Sequence, residues 1–144
     1  MLNNKKFDKI KNNMNQQLSN NEKTVFSLLE NSVKPLKAYS ILFEIQKKGI
    51  KSPTQVYRAL DKLMEIGKVH KIESKNSYIA CKKSNCLNKS STTFLICNLC
   101  DKITEIEEEI ISKQFSIICD KLNSKYSNHN LEIFGTCVSC KEVN

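Results

Sequence analysis

The chain is 144 residues long, room for one domain or two very small ones, and its 40% hydrophobic and 26% charged content is globular rather than disordered. No apolar run exceeds about four residues, 94–97 being typical, which excludes a membrane-spanning helix. The Lys- and Asn-rich start lacks the apolar centre of a secretory signal, so a cytoplasmic location without membrane contact is expected.

The formal net charge is +8. Residues 1–80 carry fifteen basic and seven acidic side chains, and residues 81–144 carry eight of each. The whole excess lies in the first part and points to an anionic partner there. All seven cysteines (81, 86, 97, 100, 119, 137 and 140) follow residue 80. In a reducing compartment clustered thiols stay free of disulfides and bind metal or do redox chemistry. Two domains with separate tasks are expected, over 1–80 and 81–144.

In chain order, Phe7, Ile10, Met14 and Leu18 recur at helical spacing and predict a first helix. Asn20 or Asn21 caps a second, whose stripe is Val25, Phe26, Leu28 and Leu29. Pro35 punctuates the chain before a third, with Ile41, Leu42 and Ile45 inward and Gly49 closing it. Ser52 and Pro53 form a cap and first-turn pair for a fourth helix through about residue 66, with Val56, Ala59, Leu60 and Leu63 on one side. Residues 68–73 and 77–81 flank Ser74, Lys75 and Asn76 as a hairpin. Helices followed by a hairpin describe a winged helix-turn-helix domain. Periodicity alone is equally compatible with a small helical core and a structural hairpin.

The outward face of the fourth helix favours the winged reading. It offers Thr54, Gln55, Tyr57, Arg58, Asp61 and Lys62, side chains able to meet base edges and phosphates. Arg58 can take guanine with both fork donors, Gln55 can pair with adenine, and Tyr57 can touch a thymine methyl or a phosphate. Arg58 is the sole arginine among 23 basic residues, which suggests a site that needs planar, forked donors. The plainer alternative is an intrahelical pair with Asp61.

In the second part, Cys97-Asn98-Leu99-Cys100 and Cys137-Val138-Ser139-Cys140 are two CxxC pairs, each after an apolar strand-like run. Four thiolates so spaced complete a closed tetrahedral zinc site with a structural role. A redox protein would instead show one such pair at a helix start. Between the pairs, residues 102–106 predict a strand and 107–123 a helix. Its apolar side is Ile110, Ile111, Phe115, Ile118 and Leu122, and Cys119 is a buried small hydrophobe. Some 50 residues bury little core alone, so a dimer partner is expected. His70, Cys81, Cys86 and Glu105 remain as further candidate ligands that could meet where the two parts adjoin, the alternative for a solitary wing His being a phosphate contact or plain surface. His129 is expected to face solvent or lie beside the wing. No paired carboxylates, Ser-His arrangement or phosphate-binding glycine loop supports catalysis, so the chain is read as a non-enzyme.

At this point the residues resemble a known family. The stretch 52–61, Ser-Pro-Thr-Gln-Val-Tyr-Arg-Ala-Leu-Asp, resembles the recognition helix of ferric uptake regulators. The stretch 69–81, Val-His-Lys-Ile-Glu-Ser-Lys-Asn-Ser-Tyr-Ile-Ala-Cys, is similar to the hinge of the family's zinc uptake regulator branch. The resemblance spans roughly 20–142. It implies an α+β protein, with an N-terminal winged-helix DNA-binding domain and a small C-terminal α/β dimerisation domain with structural zinc. It implies a homodimeric repressor that, with zinc bound, occupies an AT-rich inverted repeat in double-stranded DNA and shuts off zinc import genes. The structural zinc would sit on Cys97, Cys100, Cys137 and Cys140; the regulatory zinc, a second ion per chain, on His70, Cys81 and Glu105; and DNA contacts would fall to Tyr57 and Arg58, with Thr54 and Gln55 beside them. Two departures stand out. The branch usually supplies a further His shortly before the first CxxC, where this chain has Lys89, Ser90 and Ser91, leaving Cys86 as the nearest substitute. Gln55 stands where relatives commonly carry Thr. The iron and peroxide branches rely on a His-rich segment that two His, His70 and His129, cannot supply. The alternatives are a thiol redox protein using its CxxC cysteines, or the same family sensing another metal or oxidation.

Overall fold

The computed structural model describes residues 18–82, 91–107 and 109–142. The predicted first helix before Leu18 and the candidate ligand Cys86 lie outside them. Helix α1 spans Asn20–Glu30. Its cap is Ser19 rather than Asn20 or Asn21: the Glu22 amide donates to Ser19 Oγ at 3.3 Å, and the Ser19 amide donates to Glu22 Oε2 at 2.9 Å. This is the reciprocal Ser-x-x-Glu box, a signal present in the sequence. Helix α2, Ala38–Ile45, has no side-chain cap and continues into a 3-10 turn, Gln46–Lys48, closed by Gly49 in the left-handed region at φ 95°.

Helix α3, Pro53–Glu65, begins on Ser52 with proline in its first turn and buries Val56, Ala59, Leu60 and Leu63. At its end the Gly67 amide donates to the Met64 carbonyl and the Lys68 amide to that of Leu63. With Gly67 at φ 70°, that is a Schellman motif. The sharp exit delivers the chain directly into β1, Val69–Ile72, which pairs antiparallel with β2, Ser77–Ala80. Leu36 and Tyr78 exchange both backbone hydrogen bonds, at 2.9 and 2.8 Å, and tie the segment before α2 to the hairpin.

Side chains alternate across a strand, and this hairpin uses both faces. Val69, Tyr78 and Ala80 join the helical core around Val25, Leu29, Ile41, Ile45, Leu60 and Leu63. Ile72 and Ile79 join a second core with Phe94 and Ile96. Every residue of β2 is therefore buried. The chain division at residue 80 does not coincide with a division in packing, since the hairpin belongs to both cores.

The second core rests on a three-stranded sheet. Its central strand is β3, Thr92–Cys97, with β4, Ile103–Glu105, antiparallel on one side and β5, Asn130–Gly135, parallel on the other. Phe94 stands opposite both Glu105 and Glu132, so these three form one row across the sheet. Helix α4, Glu109–Lys121, links β4 to β5, and α5, Val138–Lys141, carries the last CxxC. The apolar side predicted for the helix over 107–123 is not wholly covered: Ile110 is 75% and Leu122 70% exposed, and Ile118 is about half exposed. Cys119 is half-buried rather than buried. No helix among the described residues is long and apolar enough to cross a membrane.

His129 departs from expectation. It is half-buried, with Nε2 2.8 Å from Thr93 Oγ1 and Nδ1 2.6 Å from the Tyr126 hydroxyl. Phe115 covers the ring at 5.0 Å between centroids. Thr93 is fully buried, and a buried hydroxyl needs a partner. His129 supplies it and fixes the start of β5 against β3.

Candidate metal centres and nucleic-acid interface

The first CxxC lies where β3 ends and turns towards β4; the second lies at the start of α5, just after β5. Because β3 and β5 run parallel with Cys97 opposite Gly135, both pairs arrive at the same end of the sheet. The four sulfurs lie within 4.8 Å of one another, and Cys100 Sγ is 3.6 Å from Cys137 Sγ. A tetrahedral ion with bonds of about 2.3 Å separates its sulfurs by about 3.8 Å, so the set fits zinc as it stands. The electrostatics agree. Backbone amides of Cys137, Leu99 and Cys100 pull the Cys97 thiol down to about 6, while the neighbouring thiols of Cys137 and Cys100 push Cys140 up to about 12. Four thiolates cannot share the space without a cation, and a dication removes that conflict. The cluster supports a structural zinc.

A second set gathers at the junction of the two cores. His70 comes from β1, Cys81 directly follows β2, and Glu105 ends β4; their ligand atoms lie within 4.8 Å of one another, and all three are half-buried. The antiparallel register puts His70 opposite Ile79, and the Cys81 amide donates to the Lys68 carbonyl at 2.8 Å, which holds the two ends of the hairpin together. A cavity of about 240 Å³ opens beside the set, lined by His70, Ile79, Lys82, Phe94 and Glu105. The Phe94 ring lies 5.6 Å from that of His70, a contact with no signal in the local sequence. One imidazole, one thiolate and one carboxylate make a borderline-soft set that suits zinc. Among the described residues Cys97, Cys100, Cys119, Cys137 and Cys140 are free.

On α3, Thr54, Tyr57, Arg58, Asp61 and Lys62 are exposed together, opposite the buried stripe. The plainer alternative, an Arg58–Asp61 pair, is not formed among the described residues, whereas Lys62 pairs with Glu65 on the same face. Gln55 has a different employment from the one expected. Its amide forms the capping box with Ser52, and its Oε1 accepts from the Lys51 and Ser52 amides at 2.9 and 3.2 Å. A two-point contact with adenine would need that oxygen.

Comparison with known proteins agrees with this geometry. Residues 13–134 match the ferric uptake regulator family. The zinc uptake regulation protein of Escherichia coli K12 is 31% identical over 119 residues, covering 83% of this chain and 68% of that protein. The ferric uptake regulation protein of Campylobacter upsaliensis is 34% identical over 85 residues, covering 59% of this chain and 53% of its own. Among solved structures, holo XcZur superposes with a TM-score of 0.77 at 34% identity, covering 87% of this chain and 86% of that one. A zinc uptake regulator complexed with zinc and DNA gives 0.81 at 26% identity, covering 99% and 97%. With this α+β architecture and four-cysteine cluster, the chain belongs to the ferric uptake regulator family of metal-responsive transcriptional regulators, which are not enzymes.

Proposed function

We propose that this chain is a zinc-responsive repressor that binds operator DNA as a cytoplasmic homodimer and controls genes for zinc uptake. The observation that carries the reading is the meeting of His70, Cys81 and Glu105 at the seam between the helical core and the sheet. A metal there would bind His70 and Cys81 from the hairpin side and Glu105 from the sheet, and so favour one placement of the basic half over others. Moving such an equilibrium from about 1:99 to 99:1 takes roughly 5.5 kcal/mol of differential binding, within reach of several new metal bonds. Two ions per chain follow, one structural at the four cysteines and one regulatory. Cys86, outside the described residues, is the proposed fourth ligand in place of the absent histidine.

In this reading α3 enters the major groove of an AT-rich inverted repeat. Thr54, Tyr57 and Arg58 contact bases and phosphates, while Gln55 spends its oxygen on the cap and keeps its Nε2 donors for a phosphate. The exposed face of α4 is what a second copy of the chain would cover. The test is operator binding by reduced protein as zinc is added. Parent protein should bind only with the second equivalent, and Cys81→Ser should stay folded and dimeric yet blind to zinc. A Cys81→Ser protein that still needs added zinc to bind would overturn the assigned sensor.

A further inference from the structure

The in-register row across the sheet, Glu105, Phe94 and Glu132, faces the hairpin, and each member meets it differently. Glu105 joins His70 and Cys81, and Phe94 packs on the His70 ring. Glu132 takes the hairpin's turn. The amides of Glu73 and Ser74 donate to its Oε1 at 2.7 Å and its Oε2 at 3.2 Å, from partners 59 and 58 residues away. These two amides open the 3-10 turn Glu73–Lys75, where the first N–H groups have no acceptor within the turn and a carboxylate is the strongest outside partner. The Glu73 side chain itself is paired with Lys71 at 2.9 Å and does not compete. A second tie lies alongside. Lys75 Nζ is 2.7 Å from Asp101 Oδ1, and Asp101 is held at φ 59° directly after Cys100 with its amide on the Cys97 carbonyl.

We propose that Glu132 is a positioning residue that sets the angle of the DNA-reading half over the sheet, by clasping the hairpin turn at the far end of the row from the metal ligands. The hairpin is thus anchored at two points, with Phe94 between them. The clasp, helped by Lys75–Asp101, holds the turn against the sheet, and a metal at the seam would hold the other end. Because Asp101 belongs to the first CxxC turn, the four-cysteine centre also bears on the hairpin's placement. The inference rests on the proposed function only in naming the first half the DNA reader.

The experiment is NMR on the full, reduced, zinc-saturated chain without DNA. It compares amide exchange and residual dipolar couplings of the parent, Glu132→Ala and Glu132→Gln. The Glu73 and Ser74 amides should be slow in the parent and at least tenfold faster in Glu132→Ala, with the β3–β5 amides unchanged. One alignment tensor should fit both halves of the parent, two should be needed for Glu132→Ala, and Glu132→Gln should fall between. Unprotected Glu73 and Ser74 amides in the parent, or a single tensor retained in Glu132→Ala, would overturn the proposal. Should Glu132→Ala fail to fold, Glu132→Gln decides by the same two readings. Loss of the zinc response in a separate titration would sink the functional reading and leave this result standing.

Discussion

The ring of Phe94 lies 5.6 Å from the ring of His70, their planes inclined by 60°, and this pair joins the sheet to the hairpin at the seam between the two cores. Phe94 is 2% exposed. Removing it would empty the seam while sparing every metal ligand. Phe94→Ala should cost about 3–5 kcal/mol of stability, as large-to-small changes of buried aromatics do. Thermal or urea unfolding of the zinc-loaded protein measures it, and a loss under about 1 kcal/mol would mean the ring is not packed as described.

Breaking the four-cysteine set should have a different signature. Cys97→Ser removes a sulfur that also accepts from the Cys137 amide at 3.4 Å. One zinc per chain should be absent by native mass spectrometry, and the amides of β3 and β5 should lose protection together. Retention of a chelator-resistant ion would speak against the site.

Proton release on zinc loading follows from the thiol shifts. Ligand thiols must be ionised to bind, so protons still held are expelled. At about pH 7.5 Cys97, held near 6, is already a thiolate and gives up none, whereas Cys140, pushed to about 12, must lose its proton. Fewer than four protons should therefore leave. Below about pH 6 Cys97 becomes protonated as well, adding roughly one to the count and steepening the fall of zinc affinity as pH drops. Calorimetry in buffers of different ionisation enthalpy gives the number.

Arg58→Ala and Gln55→Ala should separate reading from scaffolding. Arg58 is exposed on the outer face of α3 and its loss should weaken specific sites by about 1–3 kcal/mol with little effect on random DNA. Gln55 is bound into the helix cap, so its loss should cost about 1 kcal/mol of folding stability and weaken all DNA sequences alike. Competition binding on matched and scrambled duplexes distinguishes them. Equal loss on both for Arg58→Ala would make it a phosphate contact.

The uncovered face of α4 invites a further measurement. Ile110 and Leu122 are among the most exposed large apolar side chains. Leu122→Asp should raise the dimer dissociation constant at least tenfold, about 1.4 kcal/mol, in sedimentation equilibrium. An unchanged constant would place the second copy elsewhere.

The parts legible in the sequence are those encoded by short spacing. Two residues between cysteines, steps of three and four along the apolar side of α3, and Ser52-Pro53 at its start each state a local geometry, and each appears as read. The Ser19 box is equally local, its Ser-x-x-Glu spacing outweighing the adjacent asparagines as a cap. The sites where reading stopped are long-range. Nothing near Glu132 announces that it meets amides 59 residues earlier, and nothing near His129 shows that Thr93 and Tyr126 will enclose it. His70, Cys81 and Glu105 are candidate ligands by residue type, but the spacing does not show that they meet, since their convergence depends on how β2 leaves the hairpin and how β4 pairs with β3. Exposure of α4 was hidden for the opposite reason: an apolar stripe has the same period whether its cover is the same chain or another.

The hairpin with two buried faces also has a bearing on synthesis. As the chain leaves the ribosome, Ile72 and Ile79 emerge before Phe94 and Ile96, which form the other wall of their core. The winged half can assemble its helices early, but one side of its last two strands stays wet until residue 97 is free. Nascent chains paused in that interval present a sticky, half-finished ribbon, the stage at which a chaperone or a protease has its best opportunity.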